Sequence, residues 1–297
     1  MVKASKGKAF GLLFLTFFLW GSVYVGGKMV STELPAPMLA CLRCCVAVIP
    51  LLGMSRKFFG VKIDPKDWKY FFIVGLTGYF MTIFCIQIGI SLTGASMASL
   101  INALTPVSVT VLAALMLKET ITPIKVVCLI LALSGAAVIT QGAGDQSELL
   151  GIVVVLVSVV CWGFASVFMR RLTAKYPAVL VTTYGMLFSL LFHVPVGIYS
   201  AATQPFQFNI KVVLVLLYLG FIGSALAQYT WVKCLSVLPA STCSLFYPLQ
   251  PVFSALLGAA ILGETFSPAF FGGLALISID VALSTWETQK LSVSEKK

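Results

Sequence analysis

Two charges stand inside apolar runs of this chain, and they are the first candidates for chemistry. Arg43 is the only charge in the run Pro35–Gly53, and Asp280 is buried in the run Ser267–Trp286. An ionisable group in such surroundings is costly and faces a polar cavity or a partner. A guanidinium there can bind a solute carboxylate, or anchor a neighbouring helix through its carbonyls. The acid can serve as an amine or proton-coupling site, or reach an aqueous crevice. Gln87, Asn102, Gln228, Tyr229, Tyr247 and Gln250 are the hydrogen-bonding groups best suited to meet a substrate. Bonding between helices is the competing use for each. Trp20, Tyr24 and Trp162 lie well inside their runs, where rings either wall a cavity or pack. Pro106 and Pro251 each free a backbone carbonyl, which makes a hinge, a cavity-lining carbonyl or a static kink.

Other reactive types carry less. The tracts Glu119-Thr120-Ile121-Thr122-Pro123 and Glu264-Thr265-Phe266-Ser267-Pro268 read as a hydroxyl N-cap before a first-turn proline, hence as structural turns. His193 is a lone imidazole, and Lys28 lies where its amine reaches the headgroups. Cys41 and Cys44 have C-x-x-C spacing inside an apolar run, with no second pair nearby. They and Cys45, Cys85, Cys128, Cys161, Cys234 and Cys243 read as small packing residues. No metal site is expected. The sequence holds no G-x-x-x-x-G-K-[ST], H-E-x-x-H or G-x-S-x-G motif, and Gly142-Ala143-Gly144 lacks the strand that a nucleotide fold needs. No catalytic residue, cofactor or nucleotide hydrolysis is therefore expected.

The elements that position these residues follow from hydropathy. The chain has 297 residues, 59% hydrophobic and 10% charged, with mean hydropathy +1.02. A water-soluble fold of this length needs far more polar surface. A spanning helix takes about 20 apolar residues. On that rule the runs are Ala9–Gly27, Pro35–Gly53, two within Tyr70–Leu117 parted at Ser91–Gly94, Val126–Gly144, Leu149–Met169, Tyr176–Ser200, Val212–Val232, Ala240–Gly263 and Ser267–Trp286. Ten transmembrane helices are expected, in an all-α integral membrane protein. The first is read as retained, because it lacks a small-residue cleavage site. Arg43 then lies about 12 Å below one surface and Asp280 about 9 Å from the other.

The net charge of +10 points to orientation rather than to nucleic acid. With the N-terminus inside, Lys3, Lys6, Lys8, Arg56, Lys57, Lys62, Lys66, Lys69, Lys118, Lys125, Arg170, Arg171, Lys175, Lys233, Lys290, Lys296 and Lys297 all face the cytoplasm. Lys28 and Lys211 fall outside. That imbalance is what the positive-inside rule requires of ten spans with both termini cytoplasmic.

The chain also repeats itself. Residues 95–123 match 240–268 at thirteen of twenty-nine ungapped positions, at an offset of 145. Trp20-Gly21 recurs as Trp162-Gly163, at an offset of 142. The two five-helix halves, 1–145 and 146–297, have an odd span count, so the second enters the membrane inverted. Inverted repeats place a solute site at the midplane between two related gates.

With these features the sequence resembles the drug/metabolite transporter superfamily, and within it the EamA-like family. The resemblance rests on Trp20-Gly21-Ser22 leading to Lys28, and on Pro37 with Arg43. It rests further on Ala98-Ser99-Leu100 through Pro106 to Glu119, doubled at Cys243-Ser244-Leu245, Pro251 and Glu264. It implies ten helices, a bacterial inner-membrane location, and carriage of amino acids or other metabolites. Where the family usually shows a small residue, this chain has Asp280; its first helix lacks the glutamate of small multidrug exchangers. The expectation is a secondary transporter or facilitator of a small solute in a lipid setting, its oligomeric state left open. An intramembrane enzyme on lipid-linked substrates would want clustered acids or histidines. A receptor or scaffold would need no inverted symmetry.

Overall fold

The computed structural model describes residues 6–119 and 146–264, with further positions within 123–134 and 268–283. Eight of its helices are long and apolar enough to cross a bilayer. They are α1 (Gly7–Met29), α2 (Ala36–Phe58), α3 (Trp68–Thr93), α4 (Ala95–Leu117), α5 (Glu148–Thr173), α6 (Ala178–Thr203), α7 (Ile210–Leu235) and α8 (Ala240–Leu262). No strand occurs among the described residues. The expected spans Val126–Gly144 and Ser267–Trp286 lie mostly outside the described residues, and Asp280 lies wholly outside them.

Each boundary has a local cause. The long apolar run breaks at Gly94, whose φ of 93° suits only a residue without a side chain. Pro35 and Pro177 stand extended just ahead of α2 and α6, where a missing N–H costs nothing. Asn209 caps the start of α7 by accepting from Val212 N at 2.9 Å. The outer face carries large exposed apolar groups such as Ile49, Leu115, Leu191 and Ile198. Polar side chains such as Thr16, Arg43, Gln87 and Asn102 are buried instead. Apolar outside and polar inside is the arrangement for a protein whose solvent is lipid.

Helix packing is built on two axes. The helices α2 and α6 pack together, and so do α4 and α8. Around them α1 contacts α7 and α8, while α5 contacts α3 and α4. The second copy of each contact falls where the repeat offset puts it. Gly75 in α3 packs on Gly185 and Phe188, and Gly220 in α7 packs on Arg43 and Val46. Gly21 packs on Gln250 and Phe253 of α8, and Gly163 on Ser108 of α4.

The glutamates of the two repeated tracts make bonds that their local sequence does not show, while Thr122 and Ser267, the hydroxyls expected to cap the following helices, lie outside the described residues. Glu119, at the end of α4, accepts from Ala240 N at 3.1 Å, Ser241 N at 3.2 Å and Ser241 Oγ at 2.5 Å. Glu264, at the end of α8, accepts from Ala95 N at 3.2 Å and from Ser96 Oγ. Each carboxylate thus caps the first turn of the other helix, satisfying amides that lipid cannot. The end of each helix meets the start of the other, so α4 and α8 run antiparallel.

Helices α3 and α7 share a further departure. Residues Val74–Met81 and Leu219–Leu226 are wound as π-helix, again 145 residues apart. Such segments are rare, and they concentrate at functional sites.

Two ion pairs tie loops at the helix ends. Lys175 Nζ lies 2.9 Å from Asp67, which also accepts from the Tyr176 hydroxyl at 2.8 Å. Those two donors, the ammonium first, hold the Asp67 carboxyl below the usual carboxylate range. Elsewhere Lys211 Nζ lies 2.9 Å from Glu33, whose carboxyl is likewise lowered by that bond.

Candidate functional site

Both helices α4 and α8 are interrupted at the depth where the repeated prolines fall. The first consists of Ala95–Asn102 and Thr105–Leu117, and the second opens with Ala240–Ser244 and resumes at Leu249–Leu257. Pro106 has no N–H for the Asn102 carbonyl, and Thr105 Oγ1 donates to that oxygen instead, at 2.6 Å. Pro251 likewise cannot serve the Tyr247 carbonyl, which accepts from Gln250 N at 2.9 Å. The freed carbonyls are answered inside their own turns.

A cavity lies beside these breaks. It measures about 40 Å³, counted as space open to the centre of a water molecule, which is room for about three waters. Eight of the ten residues singled out as substrate contacts line it. Trp20 and Tyr24 come from α1, Arg43 from α2 and Asn102 from α4. Trp162 comes from α5, Gln228 from α7, and Tyr247 and Gln250 from α8. The other two lie elsewhere. Gln87 is fully buried against Gly27 with neither amide atom bonded, and Tyr229 is half-buried against the apolar core.

Arg43 is buried, with Nε donating to Ser224 Oγ at 2.9 Å. Ser224 belongs to the π-helical stretch of α7, so that irregularity delivers the partner of the buried cation. Asn102 Nδ2 donates to Gln250 Oε1 at 3.2 Å, joining α4 to α8 across the cavity wall. The Tyr24 hydroxyl approaches Gln250, and Trp162 Nε1 approaches Tyr247, neither closely or directly enough for a hydrogen bond. The aromatic wall is continuous. Trp20 lies 5.6 Å from Trp162 and 5.8 Å from Tyr247, centroid to centroid. Trp231 adds to it at 5.5 Å from both Trp20 and Tyr247, and Phe17 at 4.8 Å from Tyr247.

Sequence reasoning missed Val23, Thr82, Ile83 and Ile86 in the lining, and Trp231 behind it. A signal for three of them existed. Subtracting the repeat offset of 145 from Gln228 gives Ile83, and from Trp231 gives Ile86. Thr82 stands next to the first of these. His193, set aside as structural, is fully buried with Nε2 3.0 Å from the Tyr79 carbonyl. Among the described residues, no group of histidines, cysteines and carboxylates is placed to hold a metal ion.

Comparison with known proteins agrees with this architecture. The model of the EamA-like transporter family matches the chain twice, at residues 7–141 and 149–286. A Bacillus subtilis protein named "Uncharacterized transporter YetK" is 26% identical over 93% of this chain and 86% of its own. A Streptantibioticus cattleyicolor protein named "Probable terminal-alkyne amino-acid exporter" is 28% identical, covering 91% of this chain and 90% of its own. A crystal structure superposes with TM-score 0.72 at 21% identity, over 94% of this chain and 98% of its own, and so shares the fold. With both matches together spanning most of its length, this multi-pass membrane chain belongs to the EamA-like transporter family.

Proposed function

We propose that the protein is a secondary transporter or facilitator, not an enzyme. It moves a small organic metabolite, an amino acid or similar compound, across the plasma membrane by alternating access. Ten helices form two inverted halves, 1–145 and 146–297, with both termini cytoplasmic. The observation that carries this reading is the cavity holding Arg43 between two broken antiparallel helices. Broken helices facing each other near mid-depth are how transporters build a solute site without exposing backbone to lipid. The reciprocal glutamate caps, the paired π segments and the recurring glycine contacts support the inverted layout. Arg43 holds or steers an anionic group, while the rings and amides around it fit the remainder.

The relative named as an amino-acid exporter supports the substrate range. In the working cycle the two halves rock about the cavity, with Pro106 and Pro251 as hinges. The small volume supports a substrate of few atoms held in a closed state, since a larger one needs the walls to part. The test is counterflow with the purified chain in liposomes, against a panel of amino acids, organic acids and small amines. Exchange of at least one solute is expected; a folded protein that exchanges none ends the transport reading.

A further inference from the structure

The hydrogen-bonding balance of the cavity narrows the solute, on the reading that the cavity is the transport site. Arg43 brings five N–H donors, and among the described residues Ser224 takes one of them. Trp162 adds a buried indole N–H that approaches Tyr247 but makes no hydrogen bond among the described residues. Acceptors are scarce. Gln250 Oε1 is taken by Asn102, and the carbonyls freed by the two prolines are answered within their turns. Among the described residues, Gln228 Oε1 and the Tyr24 hydroxyl are the lining side-chain oxygens left buried without a partner, and of the two only the amide oxygen is purely an acceptor. No carboxylate lines the cavity among the described residues, and Glu119 and Glu264 are engaged as caps.

Such a site offers a positive charge, several donors and few acceptors. A carboxylate with a neighbouring hydroxyl matches it group for group. The carboxylate takes the guanidinium and the indole N–H, and the hydroxyl donates to Gln228. An α-amino acid matches it poorly. Its ammonium is one carbon from the carboxylate, so seating the carboxylate on Arg43 brings two cations together in a space of about 40 Å³. Three ammonium N–H groups would then share the Gln228 amide oxygen and the Tyr24 hydroxyl. The ring faces of Trp20 and Tyr247 attract cations, yet in so small a volume they do not separate the ammonium from the guanidinium.

We propose that the protein carries its solute as a net anion, a small hydroxy-monocarboxylate read by Arg43, Trp162 and Gln228, and discriminates against the zwitterionic amino counterpart. The test uses the full chain in liposomes at neutral pH and three matched pairs: lactate and alanine, 2-hydroxyisovalerate and valine, phenyllactate and phenylalanine. In the pair that fits best, the hydroxy acid is expected to exchange with about tenfold or greater preference, as like-charge juxtaposition dictates. Arg43→Gln should lower hydroxy-acid exchange at least as much and erase the preference, while Arg43→Lys keeps it. Amino acids exchanging as well as their partners would overturn the proposal, as would an unchanged ratio in folded Arg43→Gln. If Arg43→Gln does not fold, the wild-type ratio decides alone. Silence from all three pairs, with exchange of other solutes in the wider panel, removes this proposal and leaves transport standing. Silence from the whole panel removes both.

Discussion

Among the described residues, Arg43 is held by one side-chain bond, to Ser224, and that bond fixes where its remaining donors point. A hydrogen bond to a charged group contributes about 1.5–3 kcal/mol. Ser224→Ala removes the tether but leaves the charge. The KM for an anionic solute should rise about three- to tenfold with kcat little changed, since ground-state and transition-state binding weaken together. An unmoved KM would show that Ser224 does not position the guanidinium. At this scale the polar half of the site was legible in the sequence. An arginine, an amide or an indole inside an apolar run has few explanations, and eight of ten such residues converge on the cavity. Ile83 and Ile86 were legible only through the repeat offset, because an isoleucine facing a cavity and one facing lipid are the same letter. Gln87 shows the converse. In a helix apolar on all sides, periodicity does not say which flank a polar residue takes, and this one lies against Gly27.

Helices α4 and α8 begin with amides that need acceptors, and the acceptors arrive from far along the chain. Replacing Glu119 or Glu264 by Gln removes the charge while leaving a weaker acceptor. Each change should cost about 1–2 kcal/mol, the range for a lost helix cap. The two caps share no partner, so the double variant should lose about the sum. Thermal unfolding in detergent measures this; a double variant as stable as the wild type would deny the caps any energetic role. The motif containing each glutamate was visible, but its purpose was not. Local chemistry pointed to the next helix, whereas Ala240 is 121 residues beyond Glu119. The π-helical turns were also invisible, for Val74–Met81 and Leu219–Leu226 read as ordinary apolar helix and differ only in winding. The breaks at the prolines and at Gly94 were legible, because both residues act through their own backbone.

For the whole molecule, the expected topology puts the pair Lys175–Asp67 in the cytoplasm and the pair Lys211–Glu33 outside. Single cysteines replacing Lys175 and Lys211 should therefore react with an impermeant maleimide from opposite sides of sealed vesicles. Labelling from the same side would be incompatible with the inverted arrangement. The eight spans that the structure describes were accessible from sequence because hydropathy records the bilayer directly. The cavity was not, because its size depends on how side chains from seven helices meet. The crossed caps also have a bearing on biosynthesis. A ribosome delivers Ala95 long before Glu264, its acceptor 169 residues later. During that interval the newborn fourth span sits in the bilayer with its leading amides unanswered, and a chaperone, an insertase or bound water has to shelter them. A chain truncated ahead of Glu264 should thus yield a product that quality-control proteases clear, however sound its remaining segments look.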